Sequence, residues 1–153
     1  MKISADLIWK IKEETGSPVI RAKKVLEEVG GDRKKAIEIL RKEGFEKASK
    51  RQSRKTGQGK IFVYTHHTGK IVSVVELFSE TDFVVRNELF EELGKNIAMQ
   101  VASMGGKSWN EVKVQEFIRD PAKKVEELVK EVIAKTGENI RVGRIYRVEL
   151  GNG

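Results

Sequence analysis

Cysteine is absent from the 153 residues of this chain. Its absence excludes a disulfide framework and thiolate chemistry, and it suits a protein of a reducing compartment. The charged beginning of the chain, MKISADLIWKIKEE, lacks the apolar stretch of a signal peptide. No run approaches the ~18 to 20 apolar residues of a membrane span. We therefore expect a cytoplasmic protein with no membrane partner.

Motifs that would indicate enzymatic chemistry or a bound cofactor are also missing. The stretch Gly106-Lys107-Ser108 resembles the end of a phosphate-binding loop, but that motif requires a glycine where Val101 stands. His66 and His67 are neighbours, so on a strand they would point to opposite faces and could not share a metal ion; we interpret them as polar residues beside a turn. With no cysteine and no helical histidine pair, the sequence predicts no metal site, no cofactor and no catalytic residue.

The excess positive charge is concentrated in the N-terminal part. Residues 1–59 contain 16 Lys and Arg against 9 Asp and Glu, whereas residues 60–153 contain 14 of each. Much of the excess lies in KASKRQSRKTGQGK, residues 47–60, which has no acidic residue. Such a run can bind nucleic-acid phosphates or an acidic protein, but it has no aromatic side chain to stack on a base. A flexible, solvated tether is the favoured interpretation, and nucleic-acid binding is the alternative.

Residues 1–46 predict a small module of three helices. Each predicted helix has a capping residue before it and a glycine after it. The capping residues are Ser4, Ser17 followed by Pro18 as the first helical residue, and Asp32; the glycines are Gly16, Gly30 with Gly31, and Gly44. A unit this small buries little apolar area and should be only marginally stable alone. It is more typical of a recognition module than of a catalytic one.

Residues 60–153 predict a second unit, which a basic linker over residues 47–59 joins to the first. Three stretches rich in β-branched and aromatic residues predict its strands: 60–66, 70–78 and 140–150. The first two are joined by the turn His67-Thr68-Gly69. Alternation along the last strand predicts that four apolar residues share one face: Val142, Tyr146, Val148 and Leu150.

Apolar residues at helical spacing predict the helices that cover this sheet. A long helix is expected over 84–103, before the break at Met104-Gly105-Gly106. A capping box that begins at Ser108 predicts a short helix, and Asp120-Pro121 is expected to open a longer one that Gly137 ends. The predicted fold class is therefore α+β, with a three-helix module, a linker, and an α/β core whose three-stranded antiparallel sheet is covered by helices.

The junction between the second strand and the long helix is an unexpected place for an aromatic side chain. Polar residues normally punctuate such a junction, whereas ETDFVVRNELF (80–90) places Asp82 beside Phe83 and follows them with two valines. Phe83 could be an ordinary core residue at the start of a helix or an exposed contact for a partner. Spacing alone does not decide between the two.

Four stretches, in this order, resemble bacterial elongation factor Ts, the family of guanine-nucleotide exchange factors for elongation factor Tu. They are LIWKIKEETGSPVIRAKKVLEEVGGDRKKAIEILRKEGFEKASKR, GKIFVYTHHTGKIVSVVELFSETDFV, TDFVVRNELFEELGKNIAMQVA and GENIRVGRIYRVELG. The resemblance covers nearly the whole chain. It implies that the N-terminal module has a fold like a ubiquitin-associated (UBA) domain and that the partner is elongation factor Tu.

The resemblance also implies where the partner binds. In this family a Thr-Asp-Phe-Val element contacts the GTPase domain of elongation factor Tu, where the aromatic ring enters between helices, displaces Mg²⁺ and loosens the phosphate loop. The residues in those positions here are Thr81, Asp82, Phe83 and Val84. A second contact is implied for the turn between the first two helices, formed by Thr15, Gly16, Ser17, Pro18 and Val19.

The chain departs from the family pattern in two places. The turn usually reads like TGAGMMD, whereas here it is TGSPVIR, and proline should stiffen it. After Met104 a central region that includes a glutamine-bearing loop is missing, so the chain resembles a short form. Longer members build the core from two related lobes, whereas this chain has residues for one.

A single lobe leaves a sheet edge and an apolar sheet face to be covered. We therefore expect a symmetric homodimer, with Val142, Tyr146, Val148 and the first two strands at its interface. A compact monomer is the alternative. Two other function classes remain open at this point: an RNA- or ribosome-associated module that uses the basic linker, and a ubiquitin-like-binding adaptor built on the helical module.

Overall fold

The computed structural model describes residues 2–152, which form helices and strands in an α+β order. The helices are α1 (Ala5–Thr15), α2 (Val19–Glu28), α3 (Arg33–Lys50), α4 (Asp82–Val85), α5 (Glu88–Met104), α6 (Trp109–Val112) and α7 (Val125–Thr136). The strands are β1 (Gln58–Thr65), β2 (Ile71–Ser79), β3 (Glu116–Phe117), β4 (Asp120–Lys124) and β5 (Ile140–Glu149). The predicted fold class is confirmed, and α1–α3 fit a UBA-like module.

Helices α1, α2 and α3 pack around their own apolar cluster. Its buried residues are Ile8, Ile11, Ala22, Val25, Leu26, Ala36 and Leu40. The predicted caps at Ser4 and Asp32 are confirmed, because their side chains accept hydrogen bonds from the N–H groups of Leu7 (3.2 Å) and Lys35 (3.2 Å). The second cap is shifted by one residue: Pro18 is itself the N-cap of α2, and the helix begins at Val19.

The prediction that the third helix stops at Gly44 is wrong. Helix α3 continues to Lys50, and Ala48 on its last turns is buried in the core of the second unit. At Gly44 the helix approaches α7 so closely that an added Cβ would lie 3.1 Å from the Cβ of Ala134. Glycine therefore serves close helix packing at this position, and its presence in the sequence alone does not distinguish packing from termination.

The basic segment after α3 is not a free tether. The Arg51 guanidinium donates a hydrogen bond to the carbonyl oxygen of Ile133 (3.2 Å). The side-chain amide of Asn139 donates to the carbonyl oxygens of Gln52 (3.3 Å) and Arg54 (2.9 Å). These bonds attach the segment to α7 and to the residue before β5. The division of the chain at residue 46 stays a prediction.

The three-stranded antiparallel sheet is confirmed, in the order β1-β2-β5. Its inner face packs on α5 closely enough that a Cβ added at Gly94 would clash with the ring of Phe62. This face and the covering helices bury one core, which includes Phe62, Val75, Leu77, Phe90, Ile97, Val129 and Ile145. On the outer face, four apolar side chains of β1 and β5 are more than half exposed: Ile61, Val63, Tyr146 and Val148.

The predicted face of β5 is wrong because the strand contains a β-bulge. Val75 pairs with Ile145 but Leu77 pairs with Val142, so β5 has one residue more than β2 over this interval. The extra residue reverses the alternation. Val142 is therefore buried, whereas Tyr146 and Val148 lie on the exposed outer face.

Two helix boundaries of the second unit also differ from the predictions. The helix expected over 84–103 is divided into α4 and α5, because the Asn87 side chain caps a new helix by accepting from the Leu89 N–H (2.8 Å). The helix expected to open at Asp120-Pro121 begins at Val125, since Asp120–Lys124 forms β4 against β3. Gly137 ends α7 with a positive φ of 79°, as predicted.

The β3–β4 hairpin is held by a buried side chain rather than by a strand-like sequence. Gln100 of α5 is fully buried and accepts a hydrogen bond from the Ile118 N–H (2.9 Å). It donates to the Glu116 carbonyl oxygen (3.0 Å) and to the Gln115 side chain (3.1 Å).

The short helix after Ser108 does form, but Glu111 accepts from the Lys107 N–H (2.7 Å), so the predicted capping box is absent there.

Candidate partner-binding site at the β2–α4 corner

The corner between β2 and α4 turns two neighbouring side chains in opposite directions. Helix α4 is a single turn that Thr81 caps, its hydroxyl accepting from the Val84 N–H at 3.4 Å. Val84 is 8% exposed and belongs to the core, whereas Phe83 is 80% exposed. Phe83 is therefore not a core residue, and a contact with a partner stays the remaining hypothesis for its role.

Thr81 is fixed from two sides. Its N–H donates to one carboxylate oxygen of Glu138 (2.9 Å) and its hydroxyl donates to the other (2.6 Å). Its carbonyl oxygen accepts from the Ser79 hydroxyl (2.9 Å) at the end of β2. The residue that caps α4 is thus tied both to the sheet and to the loop that follows α7. Sequence reasoning did not identify Glu138, which is 57 residues away along the chain.

Asp82 and Arg86 form an exposed ion pair beside the Phe83 ring. Their side chains lie 3.1 Å apart, and both are more than half exposed. The guanidinium carbon of Arg86 lies 5.6 Å from the centre of the Phe83 ring. Since exposed ion pairs contribute little to stability, about 0 to 1 kcal/mol, both charges are available to a partner at small cost.

A shallow, charged depression of about 600 Å³ adjoins this corner, between β1 and the beginning of α5. The Lys60 ammonium donates to the carboxylate of Glu91 (2.7 Å), and Lys95 lies 3.6 Å from the same carboxylate. The hydrogen bond from Lys60 holds the pKa of Glu91 below its usual range. Charges of both signs therefore lie in the depression next to the corner that carries Phe83.

The second predicted contact, Thr15 to Val19, is only partly available to a partner. Thr15 is buried, and its hydroxyl donates to the Ile11 carbonyl oxygen (2.7 Å). Gly16 faces α7. The exposed apolar surface of this turn comes from Val19 and above all from Ile20, which is 83% exposed and was missed by sequence reasoning. Its position outside the buried stripe of α2 was the signal that could have revealed it.

The two histidines lie in the turn after β1. The strand ends at Thr65, so the prediction that strand geometry separates them is wrong: their rings are 4.2 Å apart. His66 Nδ1 is 2.9 Å from the hydroxyl of Thr68. Over residues 2–152, no group of three His, Cys, Asp or Glu side chains is arranged to hold a metal ion. Nor does the described part of the chain contain a helix long and apolar enough to cross a membrane.

Comparison with known proteins gives matches over the whole chain. A family model described as elongation factor TS matches residues 80–153. The chain is 39% identical to elongation factor Ts of Thermotoga petrophila, in an alignment that covers 100% of this chain and 98% of the relative. It is 37% identical to elongation factor Ts of Leptospira biflexa, with 99% of each chain covered. The chain belongs to the elongation factor Ts family.

The elongation factor Ts family model covers the exposed corner, whereas the aligned relatives are longer than this chain. The matched segment begins at Glu80, directly before Thr81, and includes Glu138. A third elongation factor Ts, that of Nitratidesulfovibrio vulgaris, is 35% identical and is covered over 98% of its length. These alignments extend over 196 positions, more than the 153 residues present here. The elongation factor Ts relatives therefore contain residues that have no counterpart in this chain.

Proposed function

We propose that this chain is a guanine-nucleotide exchange factor that binds GDP-bound elongation factor Tu in the cytoplasm and promotes GDP release. It acts by protein–protein binding, without a cofactor of its own. The observation that carries the proposal is the exposure of Phe83 on a corner whose neighbouring residues are tied down. An apolar ring of this size is costly to leave in water, and exposed large apolar side chains held by a rigid support are typical of binding sites.

The mechanism follows from how a guanine nucleotide is held. Mg²⁺ and backbone amides around the phosphates supply much of the binding, so a contact that displaces them weakens the nucleotide without breaking a covalent bond. Phe83 enters between helices of the GTPase domain, and because its ring has few rotamers it loses little conformational entropy. Asp82 brings a negative charge to the region of the displaced Mg²⁺. Thr81 and Val84 hold the turn that presents both side chains.

A second contact with elongation factor Tu is made by the α1–α2 turn. Val19 and Ile20 supply its exposed apolar surface, and Ser17 and Pro18 give the turn its shape. Thr15 and Gly16 support this surface from beneath, because they face α1 and α7 rather than solvent. The module as a whole adds binding area to the contact made by Phe83.

The working unit is proposed to be a symmetric homodimer formed by the outer faces of two sheets. Val63 pairs with Val74, which pairs in turn with Tyr146, so apolar residues run across all three strands on this face. Two copies related by a two-fold axis would cover this surface. Val142, which the sequence placed in the same contact, is excluded from it because the β5 bulge turns its side chain into the core.

Release of fluorescently labelled GDP from elongation factor Tu tests the proposed function. We expect the chain to accelerate release in a concentration-dependent and saturable way. Absence of acceleration at saturating concentration would contradict the proposal. The alternative, binding of RNA through residues 47–60, predicts affinity for RNA whose logarithm falls steeply with the logarithm of salt concentration, by about 0.7 per phosphate contact on single strands. Titration of labelled RNA over a range of salt concentrations separates the two.

A further inference from the structure

The loop between α7 and β5 supports the Phe83 corner through one carboxylate. Glu138 follows Gly137, and its two oxygens accept hydrogen bonds from the N–H (2.9 Å) and the hydroxyl (2.6 Å) of Thr81. Hydrogen bonds to an ionised carboxylate are about twice as strong as those between neutral groups. This pair of bonds joins the end of β2 to a loop that is remote in sequence.

The bond to the Thr81 hydroxyl also determines how α4 is capped. Because that hydroxyl donates its hydrogen to Glu138, its oxygen is free to accept from the Val84 N–H, at 3.4 Å. A helix of one turn is not stable by itself, since nucleation fixes several residues for a single hydrogen bond. Helix α4 therefore depends on this cap and on the burial of Val84. The direction of the Phe83 side chain depends on α4.

The loop that carries Glu138 is itself held in place. The Arg54 guanidinium donates to the Gly137 carbonyl oxygen (3.2 Å), and the Asn139 side chain donates to the carbonyl oxygens of Gln52 and Arg54. Asn139 is buried. The carboxylate of Glu138 thus projects from a loop with fixed residues on both sides, and it is a rigid support for Thr81.

We propose that Glu138 is a positioning residue for nucleotide exchange, an inference that rests on the proposed function. Glu138 orients Thr81, Thr81 caps α4, and α4 presents Phe83 to the GTPase domain. Glu138 itself does not enter the contact with the nucleotide site. Its loss leaves the Phe83 ring present but no longer held in one direction, so the bound complex less often has the ring between the helices of the partner.

Glu138→Gln in the full chain tests this role. Glutamine keeps the size of the side chain and its carbonyl oxygen can still accept one hydrogen bond from Thr81, but the –NH₂ group that replaces the other oxygen cannot accept the second. We expect the maximum rate of GDP release to fall about fivefold, as for loss of a helix cap. The concentration that gives half of the maximum rate should change less than the rate itself. Backbone amides of residues 82–85 should show increased motion in NMR relaxation, a readout that does not require elongation factor Tu.

Two further variants separate positioning from general stability. Thr81→Ser keeps the N–H and the hydroxyl, so residues 82–85 should stay as ordered in NMR relaxation as in the unmodified chain, whereas Thr81→Val should resemble Glu138→Gln. If Glu138 acts through Phe83, Glu138→Gln added to Phe83→Ala should cause no further loss. The inference would be overturned if Glu138→Gln reduced the exchange rate by the same fraction with and without Phe83→Ala. It would also be overturned if Glu138→Gln and Thr81→Val both left the exchange rate unchanged. Failure of the unmodified chain to release GDP would instead overturn the proposed function.

Discussion

Gly16 and Lys135 lie in backbone contact, and an added Cβ at Gly16 would be 2.7 Å from the Cα of Lys135. Glu138, three residues after Lys135, accepts two hydrogen bonds from Thr81. Both segments proposed to bind elongation factor Tu are therefore attached to the same end of α7. Movement of the N-terminal turn relative to the Phe83 corner would require this end of α7 to break one of its two contacts.

Gly16→Ala should destabilise the chain more than an alanine at a positive-φ glycine that has free space. Gly30 is the matched control: its φ is 66° against 72° for Gly16, but no atom lies within 4 Å of its added Cβ. Gly30→Ala should lower the free energy of unfolding by about 1 kcal/mol, because alanine disfavours a positive φ. Gly16→Ala should lower the free energy of unfolding by at least about 1 kcal/mol more than Gly30→Ala does, because its Cβ would also clash with Lys135. Urea unfolding of both variants measures the difference, and equal costs would contradict the tight contact.

Phe83→Ala should fold normally and lose most exchange activity. Since the side chain is 80% exposed, its removal leaves no cavity in the core. Loss of an interface hot spot of 2 kcal/mol or more corresponds to a reduction of about thirtyfold or greater. Circular dichroism and GDP release should be measured on the same preparation, with Phe83→Leu as a control that retains apolar volume. Exchange at the unmodified rate by a folded Phe83→Ala would argue against the proposed mechanism.

Tyr146→Glu should dissociate the proposed homodimer, because it would place an unpaired charge in an apolar interface. Sedimentation equilibrium at micromolar concentration should give twice the chain mass for the unmodified protein and a mass near 17.3 kDa for the variant. Ile20→Glu is the control, since Ile20 is exposed on α2, away from the sheet, and its charge should leave the dimer intact. A single-chain mass for the unmodified protein would reject the dimer.

Glu76 should make a pH-dependent contribution to stability. Its carboxylate accepts hydrogen bonds from the Arg144 N–H (2.8 Å) and from the Arg144 guanidinium (2.8 and 2.9 Å), which lower the pKa of Glu76 from 4.5 to about 2. Because the folded-state pKa lies below the unfolded one, this contribution is fully present above pH 4.5 and is lost as pH falls to about 2. The difference in unfolding free energy between the unmodified chain and Glu76→Gln should shrink over that interval.

A constant difference across the same pH range would show that the carboxylate charge contributes nothing there. Salt provides a second control. The Arg144 side chain is 70% exposed, so added salt should screen its attraction to Glu76, and the difference at neutral pH should decrease as salt concentration rises.

Features set by neighbouring residues could be predicted from the sequence. Ser4, Asp32 and Gly137 act through bonds and dihedral angles within a few residues, so their roles as caps and terminator were confirmed. Gly44 does not end α3 and Pro121 does not open a helix, because each residue type has more than one use. Glycine allows close packing as well as helix termination, and proline is tolerated in a short hairpin as well as at a helix start.

The candidate site could likewise be predicted only in part, because some of its features depend on long-range contacts. The composition of the corner pointed to Phe83, and the resemblance to elongation factor Ts gave it a role, but only the fold shows that Val84 turns inward while Phe83 turns outward. Glu138 could not be found from spacing, since its contact with Thr81 depends on how β2 and the α7–β5 loop come together. Long-range hydrogen bonds of this kind have no local sequence pattern.

The β-bulge absorbs the extra residue of β5, so the parts of the strand before and after the bulge both keep their core residues, Val142 and Ile145, turned inward. Removal of one of the two residues between Val142 and Ile145 would restore plain alternation, with Ile145 still inward and Tyr146 and Val148 still outward. A single-codon deletion at this point should thus leave the interior and the exterior of the strand unchanged. Substitutions of the two outward side chains after the bulge, Tyr146 and Val148, can therefore change the exposed face of the sheet without changing the core.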